Sequence, residues 1–420
     1  MALIKTSVRH AIFVPFTKQF SSHQFMKQST KLSAQLSAQD WLQRIHALNL
    51  PEKVRILNVC GGHERTITHA GIRTALPANI ELIPGPGCPV CICPEEDIFD
   101  AIQLALNEDI ILAAFGDMLR VPVNVAKGEI RTLEQAKSAG ADIRPIASPM
   151  EVANIATTHA DKTIVFFAAG FETTMAPVAA MLAAGAPDNL KVLLSGRLTW
   201  PAVSMLLKSG KASGEIPYEL TFDALVAPGH VATIMGPEEW QFVIDEYALP
   251  TAVAGFTPKS LLAAFYSILR QQIEGRTFLD NCYAGVAKPG GNSVAKQTLT
   301  EVMDVTDAHW RGIGSIADSG FQLSKKYAAF DARHFFSWKE NKQRQRAGDM
   351  PPGCDCSGVI LGNLYPNQCR LYGNACTPRS PIGPCMVSDE GACRIWWSGG
   401  QQPMASKTIS SKTLTSKNMA

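Results

Sequence analysis

The sequence predicts an α/β protein: two lobes with parallel sheets flanking a cleft, plus a cysteine-rich C-terminal domain. Three observations predict it. Short apolar runs such as Val54-Arg-Ile-Leu-Asn-Val59 and Thr163-Ile-Val-Phe-Phe-Ala-Ala169 stop abruptly at glycine-containing turns. Helical patterns lie between those runs, and such alternation builds βα units on a parallel sheet. Six of the 11 cysteines fall between residues 354 and 393, among Pro and Gly, with too little apolar material to fold without a metal core.

The elements follow in chain order. Trp41, Ile45 and Leu48 share one helical face. The run from Val54 ends at Cys60-Gly-Gly-His-Glu64. Leu82-Ile83 resembles a strand end and runs into Pro84-Gly-Pro-Gly87, a turn too poor in backbone donors to continue as helix or sheet. Ile98, Ala101, Ile102, Ala105 and Leu106 mark one face of a helix. Apolar runs at 110–115, 163–169, 222–227 and 251–254 end at Gly116-Asp117, Gly170-Phe-Glu-Thr-Thr174, Pro228-Gly-His230 and Gly255-Phe-Thr257. Residues 175–184 are rich in helix formers. Trp310-Arg-Gly-Ile-Gly-Ser reads as a short ordered connection, and 339–349, charged and rich in Gln, as an exposed linker or helix.

The division expected along the chain is a basic, disordered leader over 1–40 and a first lobe over 41–150 carrying Cys60 and Cys88/Cys91. A second lobe spans 151–280, the C-terminal domain 281–400 and a loose tail 401–420. Parallel sheets bind ligands at the carboxyl ends of their strands. Cys60, His63, Cys88, Cys91 and Glu172 are therefore expected to face a common cleft.

Composition bounds the function. At 420 residues, 46% hydrophobic and 18% charged, the chain has room for two or three well-buried domains. A net charge of +2 gives no ground for nucleic acid or an anionic membrane as the main partner. No apolar run approaches the roughly 20 residues needed to span a bilayer. Residues 1–39 hold no Asp or Glu but carry Lys5, Arg9, Lys18, Lys27 and Lys31. Organellar transit peptides share that pattern; a plain basic leader on a cytoplasmic protein is the preferred reading. An odd, clustered set of cysteines fits metal or redox chemistry better than a secreted disulfide framework.

Three constellations carry chemistry. Cys88-Pro-Val-Cys91, with Cys93 beyond it, can close a disulfide or clamp one soft metal. A zinc half-site and a thiol–disulfide exchange site both explain it. Cys60-Gly-Gly-His63 places a thiol at a strand end with an imidazole nearby, so Cys60 can bind a borderline metal while His63 ligates or moves protons. A helix starting there would lower the thiol's pKa. In the C-terminal set, six residues separate Cys369 from Cys376 and sixteen separate Cys376 from Cys393, neither a zinc-ribbon spacing. Loop-borne thiolates at such spacings suit an iron–sulfur cluster, a zinc knuckle being the alternative. Glu172 is either a helix-start acid, with Thr173 or Thr174 capping, or a proton carrier. No Walker A sequence occurs, and Gly85-x-Gly87 lacks a third glycine.

Cys60-Gly-Gly-His63, Pro84-Gly-Pro-Gly-Cys-Pro-Val-Cys91, Phe115-Gly-Asp-Met-Leu-Arg-Val-Pro122, Gly170-Phe-Glu-Thr-Thr174, Ala227-Pro-Gly-His-Val231, Trp310-Arg-Gly-Ile-Gly314 and Met386-Val-Ser-Asp-Glu-Gly-Ala-Cys393 together resemble the HypD family of nickel–iron hydrogenase maturation proteins. The resemblance covers about residues 50–398 and implies three domains, two of them α/β, with a 4Fe-4S cluster in the last. It implies a scaffold on which an Fe(CN)2(CO) group is assembled, working with a HypC-type small chaperone and a HypE-type cyanide donor. The hydrogenase large subunit is served indirectly.

By the resemblance, iron sits on Cys60 with His63 nearby, and Cys88 and Cys91 form a redox-active pair. The cluster takes Cys369, Cys376 and Cys393 with Cys354 or Cys356, and Glu390 falls in a motif used near it. Glu64-Arg65 after the first motif, Thr257 and the extra thiol Cys93 depart from the family pattern. The competing class is an iron–sulfur thiol–disulfide oxidoreductase without cyanide chemistry; a zinc-dependent interaction module is a third.

Overall fold

The structure, a computed structural model, describes residues 36–211, 222–338, 344, 346 and 350–403. The expected tail beyond 403 and most of the leader and of the 339–349 segment lie outside these residues. Two sheets carry the architecture, and every strand pair in them is parallel. The larger has order β2-β1-β7-β8-β9 and the smaller β4-β3-β5-β6. The strands of the first are β1 (Val54–Asn58), β2 (Ile80–Pro84), β7 (Ala224–Pro228), β8 (Thr251–Ala254) and β9 (Leu279–Asn281). Those of the second are β3 (Ile110–Phe115), β4 (Ile143–Ile146), β5 (Thr163–Gly170) and β6 (Leu190–Gly196).

Most of these strands are predominantly apolar because both faces of each sheet are covered. Side chains alternate between faces along a strand. In the larger sheet Ile56, Leu82, Val226 and Ala252 pack under helices α1 (Ala38–His46) and α7 (Pro258–Ile273), while Leu57, Leu225 and Val253 pack with Trp240 and Val243 on the other face. In the smaller sheet Leu112, Val165 and Phe167 meet α3 (Glu95–Asn107). Ile111, Ile164 and Phe166 meet α4 (Glu172–Ala183).

The expected boundary near residue 150 does not coincide with sheet membership. The larger sheet takes β1 and β2 from the first part of the chain and β7, β8 and β9 from beyond residue 220. The smaller sheet is made wholly of the segment between. Strand pairing follows which apolar strands share cover, not chain order: Ile56 and Leu57 stand in register with Ala224 and Leu225.

Beyond the sheets, an antiparallel hairpin joins β10 (Met303–Trp310) to β11 (Gly314–Leu323), and the Trp310-Arg-Gly-Ile-Gly connection is its turn. It docks on the end of β6, where Leu198 donates its backbone N–H to Ser319 O at 2.8 Å. The cysteine-rich segment closes with helix α8 (Ala392–Ser398). Its Trp396 donates its indole N–H to Glu64 Oε1 at 2.7 Å. Among the described residues no helix is long and apolar enough to cross a membrane.

Candidate functional site

In each sheet the strand order reverses direction at one place: between β1 and β7 in the larger, between β3 and β5 in the smaller. Crevices at such switch points are where parallel sheets bind ligands. Here both switch points open onto one pocket of about 440 Å³. Cys60, Pro228 and His230 reach it from the larger sheet, and Phe115, Asp117, Phe171 and Thr173 from the smaller. Pro89 and Val90 of the disulfide loop and Glu390 of the C-terminal segment complete the wall.

Cys60 is half-buried and is the N-cap of helix α2 (Gly61–His69), which starts at the end of β1 because Gly61-Gly62 permits a sharp turn. Close packing fixes it there. A methyl group at Gly87 would overlap the Val59 carbonyl and Cys60 Cα, and one at Gly61 would overlap the Glu390 carbonyl. The helix start does not leave this thiol acidic. Burial, then the nearby Glu390 carboxyl, push Cys60 up to about 12, against the lowering effect of the His63 and Gly62 backbone N–H groups.

His63 is fully buried and does not line the pocket. Its Nε2 lies 2.9 Å from Ala254 O and its Nδ1 3.2 Å from Asn58 Oδ1, so protein groups engage both ring nitrogens. Burial holds the ring down at about 4, chiefly as a neutral imidazole. In this arrangement it braces the strand ends of β1 and β8; the imidazole exposed to the pocket is His230, stacked on Phe256 at 3.7 Å between ring centroids.

Glu172 also lies beneath the pocket rather than facing it. It accepts from Thr199 N–H at 2.6 Å and from Thr199 Oγ1–H at 2.7 Å, holding the first residue of α5 (Thr199–Lys211) at the wall. Burial raises it to about 7. Neither Thr173 nor Thr174 caps α4, whose N-cap is Phe171.

Cys88 and Cys91 are joined by a disulfide across the helical turn Pro89–Ile92. Both are buried. Of the two, Cys88 lines a crevice shared with Cys60, Cys385 and Glu390. Cys93 points elsewhere, its Sγ 3.4 Å from Ser195 Oγ, in a network with Asp97 and Arg333.

Cys354, Cys356, Cys369, Cys376, Cys385 and Cys393 gather in one core with Trp310, Tyr372 and Ile360. Cys354 and Cys356 sulfurs are 3.3 Å apart, Ile382 N–H donates to Cys376 Sγ at 3.4 Å, and Cys393 N–H donates to Cys385 Sγ at 3.2 Å. The Cys356 thiol beside it, then burial, push the Cys354 thiol well above the usual range. Among the described residues no three His, Cys, Asp or Glu side chains stand in metal-binding geometry. The donor set itself is soft, largely buried and supplied with backbone N–H groups, a chemistry that suits an iron–sulfur cluster.

Sequence reasoning missed Thr199, Phe256, Glu64 with Arg73 and Trp396, and Arg311. Arg73 donates to Glu64 at 2.5 Å, and Arg311 pairs with Glu95 deep in the core. Reading 190–196 as a strand would have exposed Thr199, which lies just beyond its carboxyl end.

The family model described as "HypD: Hydrogenase formation hypA family" matches residues 36–400. A putative hydrogenase expression/formation protein of Methanocaldococcus jannaschii is 38% identical over 82% of this chain and 92% of its own length. The hydrogenase maturation factor HypD2 of Bradyrhizobium diazoefficiens is 37% identical over 83% and 90%. The hydrogenase maturation factor HypD of Escherichia coli is 36% identical over 83% and 90%. Fold, site and matches define a hydrogenase maturation protein. The chain belongs to the HypD family.

Proposed function

We propose that this chain is the scaffold on which the Fe(CN)2(CO) group of a nickel–iron hydrogenase is built, with Cys60 as its anchor. The observation that carries this reading is the position of Cys60. Its thiol stands where the switch points of two sheets meet, next to a disulfide, on the wall of a pocket large enough for iron with small diatomic ligands. Low-spin iron of that kind favours soft thiolate ligands. The first turns of α2, α4 and α5 border the pocket through Cys60, Thr173 and Thr199. Peptide N–H groups at helix starts favour negative charge, such as that on cyanide nitrogen.

In this reading Glu172 positions Thr199, His63 holds the β1 and β8 ends together, and Asp117, His230 and Glu390 are the polar groups facing the cargo. Cys88 and Cys91 are the redox-active pair. Cys369, Cys376 and Cys393, with Cys354 or Cys356, would hold a 4Fe-4S cluster, which when bound supplies single electrons. The open pocket mouth admits a HypC-type chaperone carrying a second thiol, and a HypE-type protein delivers cyanide; both would act on a cytoplasmic protein. Expression in a host lacking its own HypD tests the role. The native chain is expected to restore hydrogenase activity and Cys60→Ser to abolish it. Restoration by Cys60→Ser would remove Cys60 as the anchor.

A further inference from the structure

Glu172 sits below the pocket and reaches it through Thr199. Its Oε1 takes the Thr199 N–H at 2.6 Å and its Oε2 the Thr199 hydroxyl at 2.7 Å. The carboxyl is sealed from solvent, and Thr199 lines the pocket at the first residue of α5. A hydroxyl carries one hydrogen and two lone pairs. While Glu172 is ionised it claims that hydrogen, and Thr199 has only lone pairs left for the pocket. With a proton on Oε2 both contacts survive, one of them reversed. Oε1 still accepts the N–H, while Oε2–H donates to Thr199 Oγ1 and the Thr199 hydrogen is released. Burial favours this protonated form, raising Glu172 to about 7.

On the elements packed around α4, Glu239 of the turn Pro237–Trp240 carries the charge that opposes a charged Glu172, and Lys296 of helix Ser293–Val302 acts on Glu239. The remaining charged groups there are engaged elsewhere. His230 of Gly229–Met235 faces the pocket, and Glu151 of Pro149–Thr158 accepts from the Ala147 and Ser148 N–H groups. Glu301 meets Lys326, and Lys191 of β6 is held by the Asp188 and Ala329 carbonyls.

We propose that Glu172 sets the direction of the Thr199 hydroxyl: protonated, it turns that hydrogen into the pocket, where it donates to a cyanide nitrogen of the cargo. The carboxyl proton stays on Glu172, and no covalent bond to the cargo forms or breaks. Glu172 is thus a positioning residue, and Thr199 is the group that touches the cargo. A donor already aimed where negative charge sits costs no reorganisation when the cargo arrives. By linkage, cargo that draws on this hydroxyl strengthens the hold of Glu172 on its proton, and loss of that proton loosens the cargo. The inference rests on the scaffold reading above and gives its cargo a specific donor.

A hydrogen bond to a metal-bound cyanide nitrogen raises the cyanide stretching frequency. Infrared spectra of the anaerobically purified chain, co-expressed with its small chaperone, should therefore show a cyanide band that falls in frequency as pH rises through neutrality. Glu172→Gln puts an amide N–H where the carboxyl proton would be. Its band is expected to stay at the low-pH position throughout. Thr199→Val should fix the band at or below the high-pH position, and Thr199→Ser should restore the drift. A Thr199→Val band coinciding with the low-pH band of the unsubstituted chain, or a drift that survives in Glu172→Gln, overturns the proposal. Should Thr199→Val fail to fold, Glu172→Gln decides on the same drift. Bands without drift in the unsubstituted chain overturn the hydroxyl's role alone. A folded, iron-loaded chain without bands overturns the scaffold reading, and this inference with it.

Discussion

Glu172 and His63 are sealed in the core beneath the pocket, and burial drives them in opposite directions. Glu172 rises from 4.5 to about 7 and His63 falls from 6.5 to about 4. Between 4.5 and 7 the folded protein holds the Glu172 proton that the unfolded chain has lost, so this carboxyl's stabilisation fades as pH rises through that window. Between 6.5 and 4 the unfolded chain protonates His63 and the folded protein does not, so stability is lost as pH falls there. Urea unfolding across pH is expected to show Glu172→Gln flattening the first slope and His63→Gln the second. Gly87→Ala drives a methyl group into the Val59 carbonyl. It is expected to lower the unfolding free energy by about 1–3 kcal/mol. Cys60 shows where sequence reasoning stopped: the helix behind it was legible, but the surrounding protein that outweighs the helix start was not.

The hairpin turn is the element that stitches the regions together. Arg311 donates its backbone N–H to Ile92 O at 3.0 Å, just after the disulfide, and its guanidinium pairs with Glu95 at 2% and 1% side-chain exposure. Removing one member of a buried pair strands the other charge. Arg311→Met should therefore destabilise by about 3–5 kcal/mol in urea, and adding Glu95→Leu should recover part of that. The turn was legible as a connection, its strands were not. β10 carries Asp304, Asp307 and His309 on exposed positions and reads as loop until β11 pairs with it. β6 was hidden by Lys191, whose ammonium is satisfied by the carbonyls of Asp188 and Ala329. Strands punctuated by glycine, such as β1, β3 and β5, were readable because the apolar run and its stop lie in adjacent residues.

At the scale of the molecule, the motifs gave the βα order but not which strands pair, because β1 meets β7 across more than 160 residues of chain. Hence the pocket's membership was legible only in part: of the five residues expected there Cys60 lines it, Cys88 and Cys91 are buried behind their loop, and His63 and Glu172 support it from below, while Glu390, expected near the cluster, lines it. The cysteine-rich segment is expected to depend on metal, since bound metal contributes folding energy directly. Stripping iron with a chelator under reductant should make residues 350–403 the first to be cut by protease, while far-ultraviolet dichroism from the two sheets persists. Equal cleavage with and without iron would separate that segment's stability from a cluster. The most direct measurement is the infrared spectrum of the anaerobically purified chain, co-expressed with its small chaperone, across the metal-bound cyanide and carbonyl stretches. Cyanide and carbonyl bands present in the native chain and absent in a folded Cys60→Ser variant are the expected result. A brown, iron-loaded protein without such bands, whose Cys88–Cys91 pair still cycles with reductant, would contradict the scaffold and leave a thiol–disulfide oxidoreductase.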